Sequence, residues 1–244
     1  MIKKVELAEE LAPFGRTVFG CRIQSAAGAY GLEEPFAQFW VQGEKAALCK
    51  LDDAMILDAA EDAGFEEIKD FVRMTGAKKL ICSAEAAEQA GFAPVCRGQV
   101  MAYRNTEKLG PPAGFELNPG LREIYALLCE CATETFRPPE FEPFYLDLSH
   151  RIRHGAAVAA GIRQGDSLVS CAVCIARTAG KAVVSAVAVK PEQRRKGFGS
   201  AALTALISQL KQEEIYIFRA QDENEEFYRS SGFALCGAFA ELLI

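Results

Sequence analysis

Histidine and tryptophan are scarce: the 244 residues hold two of the first and one of the second. No apolar run approaches the ~18 residues that would cross a bilayer. The opening stretch, MIKKVELAEELAPFG, has no signal-peptide h-region. Basic residues are outnumbered, 27 Lys and Arg against 33 Asp and Glu, for a net charge of −6, which argues against the basic face that nucleic-acid binding needs. A disulfide framework is also missing. The nine cysteines are an odd number, scattered through apolar segments. Cys171 and Cys174 form a CxxC, but no second pair stands at zinc spacing, and in a strand residues three apart face opposite sides. They read as small buried thiols in a reducing compartment. What remains is a soluble, cytoplasmic protein with no metal site. Half its residues are hydrophobic and a quarter charged, enough for a globular core, and its length suits two domains.

The most informative stretch runs from Val183 to Gly199, VVSAVAVKPEQRRKGFG. The apolar run Val183 to Val189 reads as a buried strand ended by Pro191. Arg194, Arg195 and Lys196 follow, then Gly197-Phe198-Gly199. Beyond the glycines Leu203, Leu206, Ile207 and Leu210 recur at helical spacing. Strand, basic glycine turn and helix start together make an anion site. The first N–H groups of a helix lack internal partners and carry partial positive charge, and glycines let a phosphate approach them. A Walker loop is absent. Gly197, Gly199 and Ala202 fit G-x-G-x-x-A, but seven residues separate Val189 from Gly197, and the next strand runs into Arg219 rather than an acid, so a dinucleotide fingerprint fits poorly.

Arg194 to Gly199 matches R-x-x-G-x-G, and Val187-Ala188-Val189-Lys190-Pro191 matches the strand-and-proline lead-in of one family. Asn224 to Phe233 matches N-x-x-x-Y-x-x-x-G-F through Asn224, Tyr228, Gly232 and Phe233. On these motifs the chain, from Leu121 to its end, resembles the GNAT acetyltransferase superfamily. The resemblance implies a mixed, mainly antiparallel α/β layer and acetyl-CoA as cosubstrate. It implies that Arg194, Arg195, Lys196, Gly197, Phe198, Gly199 and Ser200 hold the pyrophosphate, while the backbone of Val187, Ala188 and Val189 pairs with pantetheine and polarises the thioester. Tyr228 takes the place of the residue that protonates the leaving thiolate; a phenol, ordinarily near pKa ~10, can make that transfer. Asn224 would face the same groove. The expected glutamate base is missing from Val183 to Val189. A water or a carboxylate from elsewhere (Glu134, Glu142 or Glu241) is the substitute, unless the amine acceptor arrives partly neutral. The rival reading is a non-catalytic CoA-thioester-binding regulatory protein.

The first half, residues 1–108, reads as a smaller α/β domain. Strands are expected at Phe36 to Gln42, Lys45 to Leu51, Ala54 to Ala59, Lys79 to Cys82 and Val95 to Tyr103, with helices at Phe65 to Thr75 and Ala84 to Ala90. No catalytic constellation stands out. Lys78 to Cys82, a short helix and Ala90-Gly91-Phe92 parallel Ile215 to Phe218, a helix and Ser231-Gly232-Phe233, with Ala87 where Tyr228 stands and Ser83 where Asn224 stands. This is either an internal repeat, making the first half a degenerate GNAT-like domain without its cofactor site, or a common strand–helix–strand connection.

Residues 109–120, LGPPAGFELNPG, read as a linker, and 121–244 as the second domain. Helices are expected from Leu121 to about Glu134 and, after Pro138, Pro139 and Pro143, from Phe144 to Arg153. The resemblance places the acceptor near them, with Glu134, Arg137, Glu140, Glu142, Tyr145 and Asp147 as candidate contacts. His150 and His154 stand at metal-chelating spacing, but no Glu follows the first and no third ligand is evident; a surface or acceptor-site role fits better. Strands follow at Ala156 to Ile162, Leu168 to Ala176, Lys181 to Val189 and Ile215 to Phe218, then a helix from Asn224 to Ser231 and a last strand from Phe233.

Overall fold

A computed structural model describes residues 1–106, 110–133, 136–220 and 223–244. In chain order its strands are β1 (Lys3–Lys4), β2 (Ala37–Gln42), β3 (Ala46–Leu51), β4 (Ala54–Ala59), β5 (Lys79–Ser83), β6 (Cys96–Arg104), β7 (Phe115–Leu117), β8 (Val158–Gln164), β9 (Ser167–Arg177), β10 (Lys181–Val189), β11 (Glu214–Ala220) and β12 (Ala234–Leu243). The helices are α1 (Val18–Tyr30), α2 (Phe65–Met74), α3 (Ala84–Gln89), α4 (Leu121–Glu130), α5 (Phe141–Arg153), α6 (Phe198–Gln209) and α7 (Glu225–Ser230). By contacts the chain divides into two units. The first holds residues 1–101, 218–223 and 235–244; the second holds 102–217 and 224–234.

In the first unit β1 to β4 pair antiparallel in sequence order, β5 joins β4 in parallel, and β12 lies antiparallel against β5. Val95 N–H reaches Glu241 carbonyl at 2.9 Å, bringing the start of β6 to β12. Leu48, Met55, Leu57, Ile68, Val72, Leu80 and Leu242 form one core between this sheet and α2. The helix α1 escapes a reading by period because it is buried nearly all round, from Val18 to Ala29; Thr17 caps its start by accepting from Gly20 N–H.

The second unit repeats the plan. β7 to β10 pair antiparallel, and β11 joins β10 in parallel. Asn105 fixes the start of β11, its N–H bonding Glu213 carbonyl at 2.8 Å and its amide bonding Leu210 and Gln212 carbonyls. Helices α4 and α5 cover one sheet face through Ile124, Leu127, Leu128 and Leu148 against Ala159, Cys171, Val173 and Ala188. A bulge that skips Val169 turns Leu168 to that same face, while α6 packs over β8, β9 and β10.

The echo between the halves extends to single bonds. Ser83 and Asn224 are both N-caps, of α3 and α7. Phe92 N–H bonds Ala87 carbonyl at 3.0 Å, and Phe233 N–H bonds Tyr228 carbonyl at 3.0 Å. Gly91 and Gly232 both take positive φ, 63° and 87°, where a side chain would be strained.

Four expectations differ from the structure. Residues 115–117 of the expected linker form β7, tied to β8 by its ladder and by the Glu116–Arg163 ion pair. The helix α4 ends at Glu130, with Cys131 as C-cap, instead of running to Glu134; Glu134 lies outside the described residues. And α5 begins at Phe141 rather than Phe144, because Pro143 falls in the first turn, where no N–H is needed. The expected second domain, 121–244, also differs from the contact division: β12 lies in the first unit, since its apolar Ala240 and Leu242 fill that unit's core.

One acid in the first unit is buried. Asp58, on β4, is 6% exposed, and burial pushes its carboxyl up from 3.8 to about 6, against a hydrogen bond from Thr17 that lowers it. A methyl at Gly20 would stand 2.7 Å from its Oδ2. Because the folded value lies above the ordinary one, this group's contribution is fully present below pH 3.8 and is lost as pH rises through 6. Asp58→Asn is therefore expected to gain stability relative to the wild type by roughly 2 kcal/mol between pH 4 and pH 7, read from urea unfolding. A pH-independent difference would remove the buried charge as its cause.

Candidate active site

Behind β10 the backbone takes three unusual steps. Pro191–Gln193 form a 3₁₀ turn with proline at its first position. Arg195 then adopts φ 64°, in the left-handed region that costs a side-chain-bearing residue about 1 kcal/mol or more. Gly197 adopts φ 84° and is the N-cap of α6. The first intrahelical bond runs from Ala201 N–H to Gly197 carbonyl at 3.0 Å, so the N–H groups of Phe198, Gly199 and Ser200 have no partner within the helix. Gly197 carries no side chain to cap them. Arg194, Arg195, Lys196, Gly197 and Ser200 are exposed around this helix end. Arg194 reaches back to Val189 carbonyl at 3.5 Å, and Lys196 bonds Gln193 at 3.0 Å.

Beside the turn, β10 has backbone to spare. Its ladder with β11 covers only Lys181 to Val184 against Glu214 to Ile217, with a register shift around Ser185 on its other side. Ala188 is buried toward α4, while Val187 and Val189 are half-buried. The helix α7 closes on the same place. A methyl at Gly199 would lie 3.2 Å from Val189 Cγ2 and 3.4 Å from Phe227 Cε2, so the glycine leaves room for both side chains beside the helix start. Tyr228 is 8% exposed and packs edge-on to Phe227 and Phe233, at 4.9 and 5.9 Å between centroids. Asn224, exposed with φ 55°, makes no side-chain cap to α7.

Residues 121–233 match the model of the acetyltransferase (GNAT) family. This segment is a GNAT domain. No curated protein matches the chain by sequence, but solved structures match its fold from end to end. A GCN5-related N-acetyltransferase from Sphaerobacter thermophilus is similar at 18% identity and TM-score 0.58, over 99% of this chain and 94% of that one. A tandem GNAT protein from the clavulanic acid biosynthesis pathway is similar at 13% identity and TM-score 0.60, over 99% and 97%. A GNAT-family acetyltransferase from Colwellia psychrerythraea is similar at 11% and 0.55, over 100% and 99%. The chain thus has the fold of a tandem GNAT protein, mixed α/β with mainly antiparallel pairing in each unit.

The first unit's counterpart of the GNAT turn is differently filled. Its helix α2 follows β4 as α6 follows β10, and Gly64 is its N-cap. Here Gln42 plugs the helix start: Gly64 N–H donates to Gln42 Oε1 at 2.7 Å, and Gln42 Nε2 donates to Gly64 carbonyl and, at 2.7 Å, to Glu67. Glu66 and Glu67 in the first turn satisfy the helix dipole that a phosphate would otherwise meet.

The remaining candidates are dispersed. Arg137, Glu140, Glu142 and Tyr145 are exposed around the start of α5. Asp147 is taken up by Arg151, 2.8 Å away, whose guanidinium also bonds Ile175 carbonyl. The rings of His150 and His154 stack at 4.0 Å and 22°, a near-parallel arrangement that does not converge two lone pairs on one ion. Among the described residues no cluster of three His, Cys, Asp or Glu could hold a metal, and no helix is long and apolar enough to cross a membrane. Glu241 lies on β12 in the first unit.

Proposed function

We propose that the chain is an acetyl-CoA-dependent N-acetyltransferase that moves the acetyl group directly from the thioester to an amine of a small molecule or peptide. The observation that carries this is the uncapped start of α6 behind Arg194, Arg195 and Lys196, set next to the stretch of β10 beyond Val184 that does not pair with β11. The pyrophosphate sits on the N–H groups of Phe198, Gly199 and Ser200, neutralised by the three cations. Lys196 and Gly197 complete the turn, and Asn224 lines the groove from α7. The backbone of Val187, Ala188 and Val189 pairs with the pantetheine arm and polarises the thioester carbonyl. The amine nitrogen attacks that carbonyl carbon, the C–N bond forms, and the C–S bond breaks. Tyr228 gives its phenolic proton to the departing sulfur. Since β10 offers no carboxylate, an ammonium acceptor gives its first proton to water or the amine enters already neutral; the proton that the nitrogen sheds as the amide forms passes to water, and water reprotonates Tyr228.

Calorimetric titration with acetyl-CoA, with NAD and ATP as controls, tests the reading. One equivalent of acetyl-CoA should bind per chain, because Gln42 and Glu67 occupy the matching helix start in the first unit. Two equivalents would show that the first unit keeps a site; heat with NAD and none with acetyl-CoA would overturn the reading.

A further inference from the structure

The geometry points to Ser170 as a positioning residue for the pyrophosphate turn, an inference that rests on the function proposed above. Ser170 lies near the start of β9, between Ile162 of β8 and Val189 of β10. It is fully buried, at 0% exposure, inside the apolar run Leu168 to Ala176. A hydroxyl there costs stability unless it is bonded. Its Oγ–H donates to Phe198 carbonyl at 2.8 Å. Phe198 is the first residue of α6, so this bond ties the helix turn that carries the free N–H groups to a strand paired on both sides. Phe198 carbonyl is also the regular acceptor for the N–H four residues on, so Ser170 adds a second bond and the helix does not depend on it.

The other end of the turn is held in the same way. Cys131 ends α4, 9% exposed, and its Sγ lies 3.1 Å from Val189 carbonyl. The strand end and the helix start that bracket Lys190 to Gly197 are each fixed by a side chain from a neighbouring element. Between them the turn holds Arg195 and Gly197 in left-handed conformations, and a strained turn persists only where its surroundings over-determine it. Ser170 acts on the phosphates only through the backbone it orients.

Ser170→Ala removes the donor and one oxygen from a packed site. Acetyl-CoA should bind it about tenfold more weakly, the upper range for one neutral hydrogen bond, by calorimetry. S-acetylpantetheine has the thioester arm without pyrophosphate or adenosine, and its affinity, read by ligand-observed NMR, should stay within twofold of the wild type. Equal weakening for both donors would make Ser170 a general packing residue and overturn the proposal. Unchanged acetyl-CoA affinity would overturn it too. A wild type that binds no acetyl-CoA would instead bring down the functional reading, and this proposal with it.

Discussion

Gly199→Glu is expected to weaken acetyl-CoA binding at least 100-fold while leaving the fold intact. Even a methyl at this position meets Val189 Cγ2 at 3.2 Å and Phe227 Cε2 at 3.4 Å, tight contacts that force the neighbours apart. The rest of the glutamate then extends over the helix start, where the pyrophosphate would lie, and it brings a negative charge to the spot where two phosphates would be held. Losing a charge-assisted phosphate contact and adding a repulsion together exceed ~3 kcal/mol, which is ~100-fold. The same carboxylate is favourable for the helix itself, since acids stabilise a helix start, so thermal unfolding should shift by only a few degrees. Gly199→Ala gives the graded control, with a loss nearer tenfold. Binding by the glutamate variant at wild-type affinity would mean that the phosphates lie elsewhere.

Tyr228→Phe is expected to lower turnover about 100-fold, with acetyl-CoA affinity within twofold of the wild type. Removing a general acid costs on the order of 10²–10⁴ in rate. Phenylalanine keeps the ring, and with it the edge-on contacts to Phe227 and Phe233, so packing does not confound the reading. Thiol release with any amine that the wild type accepts is the measurement. Turnover equal to the wild type would take the acid role from Tyr228 and leave the ring as a core aromatic.

Much of this was legible because glycine and proline mark backbone, and backbone makes the turn. Pro191, Gly197 and Gly199 bracket the helix start, and the spacing of Leu203, Leu206 and Ile207 gives its buried face. The Gly-Phe echo raised the repeat as one of two readings, and Gly91 and Gly232 both take positive φ. What escaped are contacts between residues far apart in sequence. Ser170 is the lone hydroxyl in LVSCAVCIA, a signal that marks it as odd but names no partner 28 residues away. Gln42 looks like the end of a strand, and only the fold shows it closing α2. Phe227 carries no motif position, yet its ring is what Gly199 makes room for. Helix α1 was invisible for a different reason: a helix buried all round has no polar face to set a period.

The place of β12 has a consequence for synthesis. Ala240 pairs with Cys82, and Leu242 with Leu80, so the first unit's sheet waits for a strand made about 160 residues after its partner. At ~5–20 residues per second, a ribosome leaves the free edge of β5 uncovered for roughly 10–30 s after that strand has emerged. The nascent chain therefore carries an open strand edge while the second unit is made, and the emergence of β12, rather than completion of the first hundred residues, is the event that seals it.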